Sequence, residues 1–129
     1  MSKKNEKKSP IIEAIIAGMQ EKKAKDIVHI DLQKLQVSVA DHFVICHADN
    51  DKQVEAIASS VEEEVRKYIG EKPYSVEGKR EGEWVLLDYI NAVVHVFLAD
   101  KRELYGIEDL WGDGDIRKIE ESYIPALTR

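Results

Sequence analysis

Two stretches of the chain repeat apolar residues at helical spacing. In the first, Ile12, Ile15, Ile16 and Met19 share one face. Ser9-Pro10 just ahead of them reads as a helix start, with Ser9 as N-cap and Pro10 at the first helical position. Lys22, Lys23 and Lys25 suit its negative C-terminal end. In the second, Val54, Ile57, Ala58, Val61 and Val65 form the stripe, with Glu62, Glu63 and Glu64 mostly on the solvated side. Asn50 caps that helix with Gln53 three residues on, and Gly70 followed by Pro73 stops it. Between the helices, Asp26 to Asp31 reads as a strand. Leu32 to Asp41 is a loop or edge strand, and His42 to His47 is a nearly continuous apolar strand covered on both faces. Beyond the second helix, Tyr74 to Glu77 is a short strand and Gly78 to Gly82 a polar turn. Trp84 to Tyr89 and Ala92 to Leu98 pair through a tight hairpin around Ile90-Asn91. Ile90 fits poorly in a turn that needs positive φ, so the turn type stays open. Asp100 and Glu103 repeat the capping spacing before a short helix ended by Gly106, and Ile107 to Trp111 add another helical turn closed by Gly112. This order predicts an α/β fold, a mixed β-sheet flanked by helices with an antiparallel hairpin at one side.

The 129 residues fit one domain and are enough to bury a real core. We read residues 1–8 as a flexible basic N-terminus, 9–112 as the single α/β domain, and 113–129 as a polar C-terminal extension. In that extension Tyr123, Ile124 and Leu127 are docking points. No apolar run approaches the length of a membrane span, and the basic start is not followed by a signal-peptide core, which points to the cytoplasm. The lone Cys46 has no internal disulfide partner and sits in a strand, which reads as a buried structural thiol.

Charge changes the picture of partners. The net charge is −6, yet residues 1–25 hold seven lysines and three glutamates, while the rest carries twelve basic and twenty-two acidic side chains. An acidic body repels phosphate backbones and suits a basic protein partner. The lysine-rich start is a solvated tail or a minor RNA contact.

Candidate chemistry concentrates on the hairpin. Side chains alternate across a sheet, so Trp84, Leu86 and Asp88 share one face and Val85, Leu87 and Tyr89 the other. The returning strand shows Val93, His95 and Phe97 on one side and Val94, Val96 and Leu98 on the other. Both faces are apolar. One covers the core; the other needs a helix, a second copy of the chain, or a different partner. Trp84 suits a recognition hot spot, worth about 2 kcal/mol or more when truncated, and equally suits a core. A metal reading of His47-Ala48-Asp49-Asn50-Asp51 competes with helix capping by Asn50, and matches no established ligand spacing. An enzyme reading through Asp26, Asp31, Asp41 and Asp88 lacks a phosphate loop and a pair of carboxylates on one strand face. Neither a Gly-x-Ser-x-Gly elbow nor a Gly-x-Gly-x-x-Gly loop is present.

Four ordered blocks resemble one known family. Asp41-His42-Phe43-Val44-Ile45-Cys46 is the first, and Val76-Glu77-Gly78 followed by Trp84-Val85-Leu86-Leu87-Asp88-Tyr89 the second. Val93-Val94-His95-Val96-Phe97 and the run Arg102-Glu103-Leu104-Tyr105-Gly106-Ile107-Glu108-Asp109-Leu110-Trp111 are the others. They resemble the Iojap, or ribosomal silencing factor, family. The resemblance implies a nucleotidyltransferase-like fold without the catalytic motifs, hence no enzyme, no cofactor and no metal. It implies binding to the large ribosomal subunit through its fourteenth protein, a steric block to joining the small subunit, and repression of translation. It also implies a homodimer, and in organelles a role in large-subunit biogenesis. The partner-binding residues it points to are Glu77, Trp84, Leu86, Asp88, Tyr89, His95, Tyr105 and Trp111. The chain departs from the family pattern in two places. His47-Ala48-Asp49-Asn50 stands for a usual Ser-Gly-Thr-Ser, and Ile90-Asn91 for a usual Gly-Asp.

Overall fold

In the computed structural model, which describes residues 9–35 and 40–120, the two apolar stripes form helices α1 (Pro10–Glu21) and α2 (Asp51–Ile69). Pro10 opens α1 as its position predicts. The Ser9 side chain makes no capping bond; its carbonyl accepts from the Glu13 amide at 3.1 Å instead. Asn50 does cap α2, its Oδ1 accepting from the Gln53 amide at 2.9 Å, and the helix stops at Gly70. The two helices touch closely because Gly18 has no side chain. A Cβ there would stand 2.6 Å from the Val61 Cα, and Ser60 Oγ donates to the Gly18 carbonyl at 2.8 Å.

Beneath them lies a six-stranded sheet in the order β3-β4-β5-β2-β1-β6. Its strands are β1 (Lys25–Asp31), β2 (His42–Ala48), β3 (Ser75–Glu77), β4 (Trp84–Asp88), β5 (Ala92–Leu98) and β6 (Asp115–Lys118). The central pair β2–β5 is parallel, and the remaining pairs are antiparallel. The sheet is therefore mixed, as the element order predicts. In the segment Leu32 to Asp41 the described residues include a short turn of helix at Gln33–Leu35. The basic residues 1–8 and the docking points Tyr123, Ile124 and Leu127 lie outside the described residues.

Two apolar clusters sandwich the sheet. On one face Val44, Cys46, Val85, Leu87, Tyr89, Val94 and Val96 meet the stripes of α1 and α2. On the other, Val28, Ile30, Phe43, Ile45, Val93 and Phe97 form a second cluster with Ile107, and Trp84, Leu86 and Trp111 pack at its margin. The cover on this second face comes from two short helices, α3 (Ala99–Tyr105) and α4 (Ile107–Leu110), joined at Gly106. The sequence spacing puts a cap at Asp100, but α3 starts at Ala99 with Leu98 at the cap position and no side-chain cap bond. Asp100 instead supplies an acid in the first turn, where the helix dipole favours it. The segment read as a polar extension also holds a strand. β6 pairs antiparallel with β1, from Val28 opposite Lys118 to Asp31 opposite Asp115.

Candidate functional site

The second sheet face is where the candidate residues gather. Register sets Trp84 opposite Phe97, Leu86 opposite His95 and Asp88 opposite Val93, and β3 adds Glu77 opposite Leu86. The rings form one aromatic assembly. Trp84 stacks on Phe97 with centroids 5.1 Å apart, Tyr105 of α3 lies on Trp84 at 4.7 Å, and the Trp111 ring meets Phe43 edge-on at 5.9 Å. Such contacts add to plain area burial and fix ring orientation. Leu86 and Trp84 stay half-buried at the margin, and Leu104, Tyr105 and Leu110 project outward, 69%, 45% and 72% exposed.

His95 lies under this assembly, 4% exposed. Trp84 Nε1 donates to its Nδ1 at 3.0 Å, so the ring's own proton sits on Nε2. Burial pulls the ring down to a pKa of about 3, so His95 is neutral across the physiological range. It holds Trp84 in place and offers nothing to solvent itself. Tyr89 lies on the opposite face, 5% exposed in the helix-covered cluster, because alternation turns it away from Asp88. Asp88 is on the expected face, yet one carboxylate oxygen is engaged: Oδ1 accepts from the Ile90 amide at 2.7 Å. Glu77 is exposed beside Leu86. The structure thus brings Glu77, Trp84, Leu86, Asp88, Tyr105 and Trp111 to one side, puts His95 beneath them, and leaves Tyr89 on the other.

A second constellation escaped the sequence reading. Arg102 Nε and Nη2 donate to the two oxygens of Glu108 at 2.8 and 2.9 Å, and Nη1 donates to His47 Nδ1 at 2.8 Å. The bidentate fork holds Glu108 below its ordinary carboxylate pKa. Burial first, and then the Arg102 charge, lowers His47 below the usual histidine value. The partners come from α3, α4 and β2, elements with no shared periodicity, so spacing carried no signal of the cluster. Two clefts of about 440 and 410 Å³ meet there. Among the described residues no group of three or more His, Cys, Asp and Glu side chains is placed to hold a metal ion. His47, the histidine of the metal reading, spends Nδ1 on Arg102.

The surroundings are acidic. Between Ala99 and Asp115 stand Asp100, Glu103, Glu108, Asp109, Asp113 and Asp115 against Lys101 and Arg102. An apolar and aromatic patch among carboxylates offers hot-spot area with a field that attracts positive charge.

The chain as a whole is similar to known proteins. Residues 4–128 match the family model described as "Ribosomal silencing factor during starvation". The chain is 38% identical over 110 residues to a ribosomal silencing factor of Bacillus subtilis, covering 85% of this chain and 92% of that protein. It superimposes on a crystal structure of a Chromobacterium violaceum protein with a TM-score of 0.75 at 34% identity, covering 91% of this chain and 93% of that one. A more distant relative, 29% identical over 105 residues, is the mouse protein named "Mitochondrial assembly of ribosomal large subunit protein 1"; the match covers 78% of this chain and 44% of that protein.

Proposed function

The chain belongs to the ribosomal silencing factor family, and from that membership we propose that it binds the large ribosomal subunit and hinders its joining to the small one. The observation that carries this reading is the half-covered aromatic face of β4 and β5, capped by α3 and α4 and ringed by carboxylates. Trp84, Leu86, Leu104, Tyr105, Leu110 and Trp111 supply the apolar contact. Glu77, Asp88 and the acids of α3 and α4 steer the approach to a basic protein. On the family resemblance that protein is the fourteenth of the large subunit. The mode of action is obstruction: a domain seated on the joining face excludes the small subunit by volume alone. In this reading the chain acts in the cytoplasm. The basic residues 1–8 add a minor contact to ribosomal RNA, and free copies pair as a homodimer.

Co-sedimentation tests it. The full chain is expected to travel with isolated large subunits and not with assembled ribosomes. Leu104→Lys with Leu110→Lys, two exposed positions, is expected to weaken that binding at least about tenfold with circular dichroism unchanged. Wild-type binding by the folded double variant sinks the assigned surface. Assembly of the large subunit is a second reading, favoured by the name of the mouse relative. It predicts accumulation of large-subunit precursors in a deletion strain with normal joining rates.

A further inference from the structure

We propose that Arg102 is the positioning residue of the docking surface: by gripping Glu108 and the ring of His47 together it locks α3 and α4 onto the sheet, and protonation of His47 releases the lock. The proposal rests on the large-subunit reading for its consequence, though not for its geometry. α3 has seven residues and α4 four, too short to hold helical form without tertiary support. Between them Gly106 takes a φ of +59°, a left-handed joint that glycine adopts without strain and that breaks the helical path between α3 and α4. Apolar anchorage comes from Ile107, from Tyr105 against Trp84 and Phe97, and from Trp111 against Phe43. Ile107 is buried, while Leu104 and Leu110 face solvent and Tyr105 is 45% exposed. Among these contacts, the one that joins the two helices to each other and to β2 at once is the Arg102 guanidinium, whose side chain is only 11% exposed. Its planar fork matches Glu108 with two parallel bonds, and its third nitrogen reaches His47, which neighbours Phe97 across the parallel β2–β5 pair. Lysine has neither the fork nor the reach to both partners at once. The side chains aimed at the partner ride on this segment, so their placement depends on a residue that need not touch the partner.

The acid sensitivity follows from which atom accepts. His47 Nδ1 receives a proton donor, so the bond exists only while that nitrogen is unprotonated. The groups facing the ring are Arg102 of α3, Glu108 of α4, Lys25 and Asp26 of β1, Asp49 beyond the end of β2, and Lys118 of β6 across the cleft. Burial, Arg102 and Lys25 disfavour the charged ring and outweigh Asp26 and Asp49. Neutral pH therefore keeps the lock shut. As the pH falls below the usual histidine range the ring charges, its acceptor is lost, and two cations face each other.

The test uses the full chain, purified large ribosomal subunits, and hydrogen exchange of the free protein from about pH 7.5 to about pH 4, a window that runs through and below the usual histidine range. At neutral pH, Arg102→Lys and Glu108→Gln are expected to speed exchange across residues 99–111 while β4 and β5 keep their protection. Affinity for the subunits should fall roughly tenfold, as when the binding-competent arrangement drops to about a tenth of the population. Wild type is expected to show the same loosening and weakening on acidification. His47→Gln keeps an acceptor oxygen that does not titrate, so its neutral affinity should hold and its pH profile should flatten. Wild-type exchange and binding by Arg102→Lys, or an acid loss in His47→Gln equal to that of wild type, overturns the proposal. If wild type ignores large subunits, the ribosomal reading fails, and the exchange data alone still decide whether the lock exists.

Discussion

Ile90 holds a φ of +75°, a region that β-branched side chains enter only when their surroundings force them. The forcing contacts are all visible. The Asp88 carboxylate accepts the Ile90 amide at 2.7 Å, and the Asn91 amide donates to the Tyr89 carbonyl at 2.9 Å, closing the tight bend of a γ-turn. The Asn91 carbonyl then takes the amides of Asp41 and His42, at 2.9 and 3.0 Å, which pins the hairpin to the start of β2. The Ile90 side chain, 58% exposed, gives little back through packing. Ile90→Gly is therefore expected to stabilise the fold by about 1 kcal/mol, the relief of the left-handed strain less the extra chain entropy of glycine. Urea denaturation reads this as a higher midpoint at unchanged slope. A lower midpoint would mean that the isoleucine contributes packing that outweighs its backbone. At this scale the sequence showed where the turn is and that Ile90 is a misfit in it. It did not show that Asp88 organises the turn, since a carboxylate two residues before a hairpin also reads as a binding group. Nor did the list of candidates respect alternation at Tyr89, whose place beneath α2 follows from its position next to Asp88.

Elements were legible in proportion to the regularity of their burial. α1 and α2 lie where the stripes put them, and β2, β4 and β5 where apolar runs predicted strands, because each buries a whole face and repeats its signal several times. β6 has one apolar residue, Ile116, so periodicity offers no hint of it. Its strand form comes from pairing with β1 and from Arg117, which reaches His29 Nδ1 at 3.3 Å and Glu13 at 3.7 Å. α3 and α4 were expected as helices, but their anchor was not, because Arg102, Glu108 and His47 meet only through the tertiary fold. The junction of α1 and α2 gives the sharpest prediction at this scale. Gly18 packs so closely on Val61 and Ser60 that one methyl group has no room: its contacts would include Val61 backbone atoms at 2.6 and 2.9 Å. Helix propensity alone favours alanine there by about 1 kcal/mol. The clash with backbone, which cannot rotate away, is expected to win, so Gly18→Ala should destabilise the fold by about 1–3 kcal/mol net. Thermal unfolding followed at 222 nm measures it. A gain in stability would show that the two helices separate at little cost.

For the molecule as a whole, charge and the proposed target stand in tension. Apart from residues 9–25, the described body belongs to the strongly acidic part of the chain, while the first 25 residues are net positive. A ribosomal subunit presents mostly RNA phosphate, which repels such a body, so attraction requires a basic protein at the contact itself. Screening decides between the two fields, because the Debye length is about 8 Å at physiological ionic strength and only charges near the docking face are felt. There the carboxylates of α3 and α4 outnumber Lys101 and Arg102, and Arg102 is already neutralised by Glu108. Steering by a local basic partner predicts that association with isolated large subunits slows as salt rises. A roughly tenfold loss in on-rate between about 50 and 300 mM salt is the scale expected of charge-steered encounters. The dissociation rate, which the proposed docking surface assigns to apolar contacts around Trp84 and Leu110, should change far less. Stopped-flow mixing separates the two rates. A rate that instead climbs with salt would mean that repulsion from RNA governs the approach, and the acidic rim would then be no part of recognition.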